Sequence, residues 1–502
     1  MRAWRLILPL LVAGLGACAG PGSEQHLAPV YTHVSTSGGG EEYEALAGAV
    51  IARRRALDER FQMWGLRPLF LHRPRPADAL PRELNRTRFL YPFGKVDSSN
   101  AELNWWLLPI ADYRRDETPE GDDWKLLMLP GVYLARLPDG RRASAWFPFG
   151  GTVHELFTFE RIDFVLWPLF VRTEQQGRVS WHFPWPFVMV RTGPDGGGWR
   201  LWPLVGHSWV DDRYDRWFAV WPVFNYNREN LKSSPRYHET QWSLFPLYAR
   251  RSRENWSSNT VLWPFFGYSS DASTGFWALD APWPLVRFQV PGDERLVPLP
   301  NKQGAYTRKR VWPFYSYYEG DDMVSRWYAW PLVNKREEVY EDGERDALVV
   351  YPFWQEWDRT NASGGRAFRK AWPLYQYTRE GEVESYLFPQ LSPFWYWPEL
   401  DDHYAWLYAL YAADHGPDTT SEHALWGLWR RENDAGERRT YISGLWSQRA
   451  YAGEEGPVSE HSLLLGLLRW RTDAQGTRLL RPALPGPGWP IRRVEAPTEG
   501  AR

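Results

Sequence analysis

An aromatic residue followed by proline and an apolar residue returns throughout the middle of this chain. It stands at Trp167-Pro168-Leu169, Trp185-Pro186-Phe187, Trp202-Pro203-Leu204, Trp221-Pro222-Val223, Trp263-Pro264-Phe265, Trp283-Pro284-Leu285, Trp312-Pro313-Phe314, Trp330-Pro331-Leu332 and Trp372-Pro373-Leu374. Phe245-Pro246 and Tyr351-Pro352 complete the series, whose steps average about 20 residues. Only 17% of the chain is aromatic, so an aromatic residue before every proline of the series is not chance. A repeat of this kind lets 502 residues extend as a periodic array in which each unit leans only on its neighbours.

Each unit reads as strand. Trp217-Phe218-Ala219-Val220-Trp221, Pro222 and Val223-Phe224 form a short aromatic and β-branched run, and Asn225-Tyr226-Asn227 leave it as a polar exit. Turn residues fall between the prolines, among them Gly193-Pro194-Asp195-Gly196, Asp211-Asp212, Gly320-Asp321-Asp322, Asp342-Gly343 and Gly364-Gly365. A period this short leaves no room for crossover helices, so the expectation is an all-β chain, an antiparallel meander with one strand and one turn per unit. Proline in the middle of strand after strand implies a line of bulges, at which the sheet bends into a curved or closed form with a kink at each proline. The alternative is closure into an outer-membrane β-barrel. Beyond Pro373, glycine takes the place of proline at Trp426-Gly427-Leu428, Gly444-Leu445-Trp446 and Leu465-Gly466-Leu467, in keeping with a bend.

The N-terminus carries an address. Arg2 and Arg5 precede an apolar run from Leu6 to Leu15 that is of signal-peptide length and too short to span a bilayer. Leu15-Gly16-Ala17-Cys18, which contains the one cysteine of the chain, resembles a bacterial lipobox. The resemblance covers the signal region alone. It implies cleavage before Cys18, acylation of that residue by palmitate-like chains, and a lipoprotein of the cell envelope. Ala19 implies delivery to the outer membrane where there is one. The domain reading is therefore a signal peptide at 1–17, the lipidated Cys18 with a flexible tether over 18–40, a single repetitive body over 41–481 and a Pro- and Gly-rich tail over 482–502. Within the body, 41–160 are degenerate repeats, 161–375 regular ones and 376–481 glycine variants. Glu41 to Arg60 is read as a first hairpin in preference to a helix.

Chemistry is sparse. The lone cysteine belongs to the anchor, and no nucleophile elbow, zinc-helix motif, phosphate loop or paired-cysteine spacing is present. Neither a cofactor nor a resident metal is expected. Three weaker constellations are worth placing: His403, His423 and His461 as a metal or proton site, against a ladder of ordinary histidines; Asp122-Asp123, Asp211-Asp212, Asp321-Asp322 and Asp401-Asp402 as calcium ligands, against turn chemistry; and Glu155, Glu160 and Asp163 as carboxylates for glycoside cleavage. The tryptophans before proline read as core, an aromatic spine, ahead of a sugar-stacking surface. The longer connections, Arg228 to Gln241 and Pro291 to Arg310 with Arg308-Lys309-Arg310, are the places for a binding site.

With 59 basic against 61 acidic residues, the chain has no electrostatic footprint for nucleic acid. The unit length resembles that of choline-binding and other cell-wall-binding repeats, but those carry a Gly-Trp pattern and no central proline, so no ligand residue carries over. The expectation is a lipid-anchored envelope protein acting as a non-catalytic scaffold, its partners the membrane through the N-terminus and a glycan or another envelope protein. A barrel or channel component is the alternative, and an enzyme acting on polysaccharide the third.

Overall fold

The computed structural model describes residues 23–35, 40–54, 61–75, 84–99, 101–118, 121–232, 237–293, 306–361, 365–434, 436–480 and 488–490. The expected antiparallel meander is present, and its unit is a hairpin. Strand Tyr214–Ala219 pairs with strand Phe224–Glu229, Ala219 opposite Phe224 and Tyr214 opposite Glu229. Between them Val220 to Val223 make a tight turn, closed by the Val223 N–H donating to the Val220 carbonyl at 2.7 Å. Trp221 and Pro222 take the two central positions with a cis peptide bond between them, which is the type VI arrangement. The same closure joins Leu169 to Leu166, Phe265 to Leu262 and Leu332 to Ala329.

The expected kink at each proline is thus a complete reversal, and each period holds two strands where one was expected. The physical reason lies in proline itself. A residue without an N–H and with a fixed φ has no place in the middle of a ladder and suits a turn.

Successive proline turns lie side by side on one edge of the sheet and are bonded to one another. The Trp167 N–H donates to the Pro148 carbonyl at 2.8 Å, Trp185 to Pro168 at 2.8 Å, Trp221 to Pro203 at 2.6 Å and Trp330 to Pro313 at 2.7 Å. Their rings follow in file: centroids are 5.7 Å apart for Trp167 and Trp185, 5.6 Å for Trp202 and Trp221, and 5.9 Å for Trp312 and Trp330. At the opposite ends of the strands the reversals are polar, as at Gln175 and Arg178 or Tyr340 and Gly343.

The body expected over 41–481 divides into two compact units. The first unites Met1–Asn100 with Pro352–Arg502, and the second is Ala101–Tyr351. The second unit runs from strand Glu102–Leu107 to strand Gly343–Val350 as hairpin after hairpin, with a small apolar core of Tyr133, Ala135, Ala143, Ala145, Val153, Phe164 and Val171.

In the first unit, the expected hairpin over Glu41–Ala45 and Val50–Arg54 is present. Residues expected in the flexible tether are ordered instead: Ser23–Leu27 pairs with Tyr31–Ser35, which pairs with Glu41–Ala45. Ser23–Leu27 also pairs with Gly488–Pro490, from the segment expected as a loose tail. Cys18 and the signal segment lie outside the described residues. Where prolines crowd after Phe388, the strands give way to a short helix, Pro398–Tyr404, with proline in its first turn alongside Glu399 and Asp401.

Candidate functional site

Resetting the alternation of side chains at each proline turn shows that the two faces of the second unit differ. On one face, the residues next to the turns form a row in direct cross-strand register that includes Leu201, Val205, Ala219, Phe224, Leu244, Tyr248, Val261 and Phe266. Every member is apolar or aromatic. Two residues deeper on that face a second row reads Trp181, Val190, Trp199, His207, Trp217, Tyr226, Trp242, Arg250, Asn259, Tyr268 and Leu279. It continues through Phe288, Lys309, Tyr317, Arg326 and Lys335. Two residues deeper again the face is mixed: Asp215 stands opposite Arg228 and Thr240 opposite Ser252, but the same row holds Trp209 beside Asp215 and Trp277 opposite Ser270.

The opposite face carries the apolar core residues Tyr133, Ala145, Phe164 and Val171 and, beyond them, a mixture of small, polar and aromatic side chains in which Thr173, Ser180, Ala278, Gln289 and Ser325 are buried. Gly206 belongs there because Phe218 covers it; a Cβ would lie 2.3 Å from that ring.

The turn edge is open to solvent. Trp221 is 48% exposed and Trp263 50%, while the residues after proline stand out further, Leu169 at 58% and Phe314 at 72%. The expected spine of tryptophans therefore exists as a file of rings, but it runs along an edge and is half exposed where a core was expected. That Trp199, Trp217 and Trp242 share one row escaped sequence reading, because counting faces straight through a proline places them at random with respect to one another.

The weaker constellations do not assemble. His403 is buried in the short helix, where its Nδ1 meets the Glu399 carbonyl at 2.7 Å and its ring stacks on Tyr91. Burial holds its pKa below the usual range against that bond. Burial likewise lowers His423, and His461 stacks on Trp470. Among the described residues no group of His, Cys, Asp and Glu converges as a metal site.

Two of the four acidic pairs place a carboxylate on arginine, and the other two, Asp211-Asp212 and Asp321-Asp322, stand exposed at reversals. Asp122 takes Arg115 at 2.9 Å, and Asp402 takes Arg73 at 2.6 Å. Asp163 is held by Arg161, Arg172 and Thr152, Glu155 pairs with Lys125, and Glu160 accepts from the Gln176 N–H, so the three carboxylates are spent on separate contacts. Arg308-Lys309-Arg310, expected in a connection, lie on strand Thr307–Val311, where Arg308 rests over Tyr306 and Tyr318. Within the connection at Arg228 to Gln241, the ends are strand and residues 233–236 lie outside the description.

The first unit encloses two polar clusters, of whose members only Asp401 was singled out from the sequence. In one, Arg430 reaches Glu432 at 2.7 Å, Glu42 at 3.7 Å and Glu44 at 3.9 Å, and Arg53 also meets Glu42, at 3.0 Å. Burial works against the Arg430 charge, yet the three carboxylates raise its pKa overall. In the other, Gln376 and Gln390 each donate to Asp401 at 3.0 Å, and Tyr408 donates to Gln390 at 2.6 Å. Burial raises the Asp401 pKa, and it lowers that of neighbouring Lys370 to about 8.

No protein-family model matches the chain, and no curated protein matches it.

Proposed function

We propose that this chain is a lipid-anchored protein of the bacterial envelope that acts as a non-catalytic scaffold, with the outer membrane as its site. The observation that carries the reading is the hairpin array itself. Within the second unit each hairpin is bonded to the next through both its strands and its proline turn, so that unit offers an edge and a face on which a large partner has many equivalent contacts. The Leu15-Gly16-Ala17-Cys18 motif supports the anchor, since several acyl chains on one residue give stable membrane attachment.

The test is metabolic labelling with a fatty-acid analogue in a bacterial host, followed by membrane fractionation. Label on the wild-type chain and none on Cys18→Ala supports the anchor. Equal labelling of both, or none of either, removes it.

The all-antiparallel second unit also suits a second reading, a barrel or channel component. Its strands run from four to eight residues, however, and crossing a hydrocarbon core takes about 9 to 11. Conductance across planar bilayers separates the two readings.

A further inference from the structure

We infer that the proline-turn edge of the second unit docks into one leaflet of a lipid bilayer, independently of any acyl chain on Cys18. The depth profile of the exposed face carries the inference. At the outermost level are the residues that follow proline, such as Leu169, Leu204, Leu247 and Leu332, all about half exposed or more and none charged. The first row behind them is apolar throughout, as Leu201, Phe224 and Val261 illustrate. The second row is where tryptophan and tyrosine concentrate, and on that row the same face presents Arg250, Lys309, Arg326 and Lys335. Behind it the next row is mixed, with Asp215, Arg228, Thr240 and Ser252 beside Trp209 and Trp277.

From tip to second row the face spans roughly 10 Å, at about 3.4 Å per strand residue. That matches the depth to which interfacial elements bury their apolar side, about 5 to 10 Å. The sequence of layers matches the bilayer as well. Aliphatic groups would meet acyl chains, indole and phenol rings the boundary region, and the basic side chains the phosphates.

Charge complementarity at the second row favours a lipid surface over an apolar protein groove, which would have to desolvate those cations. A second copy of the chain is disfavoured for the same reason, because opposed edges would bring like-charged rows together. Nor does the edge need to span the membrane, so the short strands are no obstacle. The alternating main-chain bonds between turns keep the tips in file, and adjacent hairpins therefore present their side chains at one level.

The experiment is flotation of the chain from residue 19 onward, which lacks leader and lipidated cysteine, with vesicles of phosphatidylethanolamine and phosphatidylglycerol. The wild-type chain is expected to float with the vesicles. A variant carrying Leu169→Asp, Leu204→Asp, Leu247→Asp and Leu332→Asp is expected to float at least 10-fold less while keeping its β-sheet circular dichroism. In case that variant fails to fold, the wild-type chain is also titrated with vesicles brominated near the acyl-chain head. Quenching of its tryptophan fluorescence is the expected result. Failure of the wild type to float, or unquenched tryptophan, overturns the proposal. So does a folded four-fold variant that floats as well as wild type. Self-association of the wild type without vesicles, lost in the variant, assigns the edge to a second copy and also overturns it. Loss of fatty-acid labelling at Cys18 would leave this result untouched, so the two readings fail separately.

Discussion

The main-chain N–H of Trp221 donates to the carbonyl of Pro203 in the preceding turn, 2.6 Å away, while the indole of Trp221 packs 5.6 Å from that of Trp202. One residue thus ties two hairpins together through backbone and side chain at the edge of the sheet. Trp221→Ala keeps the backbone bond and loses the ring contact, so a loss of about 1 to 2 kcal/mol is expected. Leu204→Asp on the neighbouring tip touches neither and should stay within about 0.5 kcal/mol of wild type. Urea unfolding midpoints of the two variants check this. Equal losses would mean that the tips are packed.

Arg430 is the shared cation of Glu42, Glu44 and Glu432 in the interior of the first unit. Removing one partner of a buried ionic group leaves the others as uncompensated charges. Arg430→Met should therefore cost about 3 to 5 kcal/mol, and Glu432→Gln added to it should restore part of the loss. The double-variant cycle is read in urea at neutral pH. A double variant no more stable than Arg430→Met would show that the carboxylates are not coupled through the arginine.

How much of this was legible in the sequence depends on one residue type. The repeat, the all-β class and the antiparallel order follow from the spacing of Trp167, Trp185, Trp202 and Trp221 and the polar stretches between them. The strand count and the faces were not legible while Pro222 was taken as the middle of a strand. Reading straight through it makes Val220 and Val223 parts of one alternating run, whereas they are the first and last residues of a turn. The rule that proline cannot serve a central ladder already contained the answer. The Arg430 cluster was illegible for a different reason: Glu42 and Glu44 come from the far end of the chain, and no local pattern announces such a contact or that of Arg88 with Glu399. The Gln390 cluster is local, between Gln376 and Tyr408, but it falls in the irregular stretch around the short helix, where no periodic pattern marks a face.

His182 is buried on the face opposite the tryptophans, and burial, with the charges of Arg200 and Arg191 nearby, lowers its pKa to about 4. The folded state keeps the ring neutral while the unfolded chain takes up a proton near pH 6.5. Stability from this site is fully present above about pH 6.5 and is lost as the pH falls toward 4. His182→Gln should flatten the pH dependence of unfolding in that window by at most about 3 kcal/mol. The residual slope belongs in part to His26, lowered to about 3 by burial and by Arg430. Thermal unfolding of both chains between pH 4 and 7.5 decides the point. Parallel curves would show that His182 is protonated in the folded state.

Gln390 is wholly buried and serves four groups at once: its Nε2 donates to Asp401 at 3.0 Å and to the Gln376 Oε1 at 2.8 Å, and its Oε1 accepts from Tyr408 at 2.6 Å and from the Ser392 N–H at 3.1 Å. Gln390→Leu leaves all four short of a partner and should cost about 2 to 4 kcal/mol. Gln390→Glu tests the electrostatics separately. It keeps the acceptor but sets a second carboxyl beside Asp401, whose own pKa burial already raises. Two carboxyls sharing a dry site hold one proton far more tightly than either would alone. A group with its folded pKa raised adds stability at low pH and loses it as the pH climbs. The deficit of Gln390→Glu against wild type should therefore be small at pH 5 and large at pH 8, while that of Gln390→Leu, which removes a hydrogen bond that lowers the Asp401 pKa but adds no second carboxyl, rises less over the same range. Urea midpoints at the two pH values provide the comparison, and a Gln390→Glu deficit that does not change with pH would mean that water reaches Asp401.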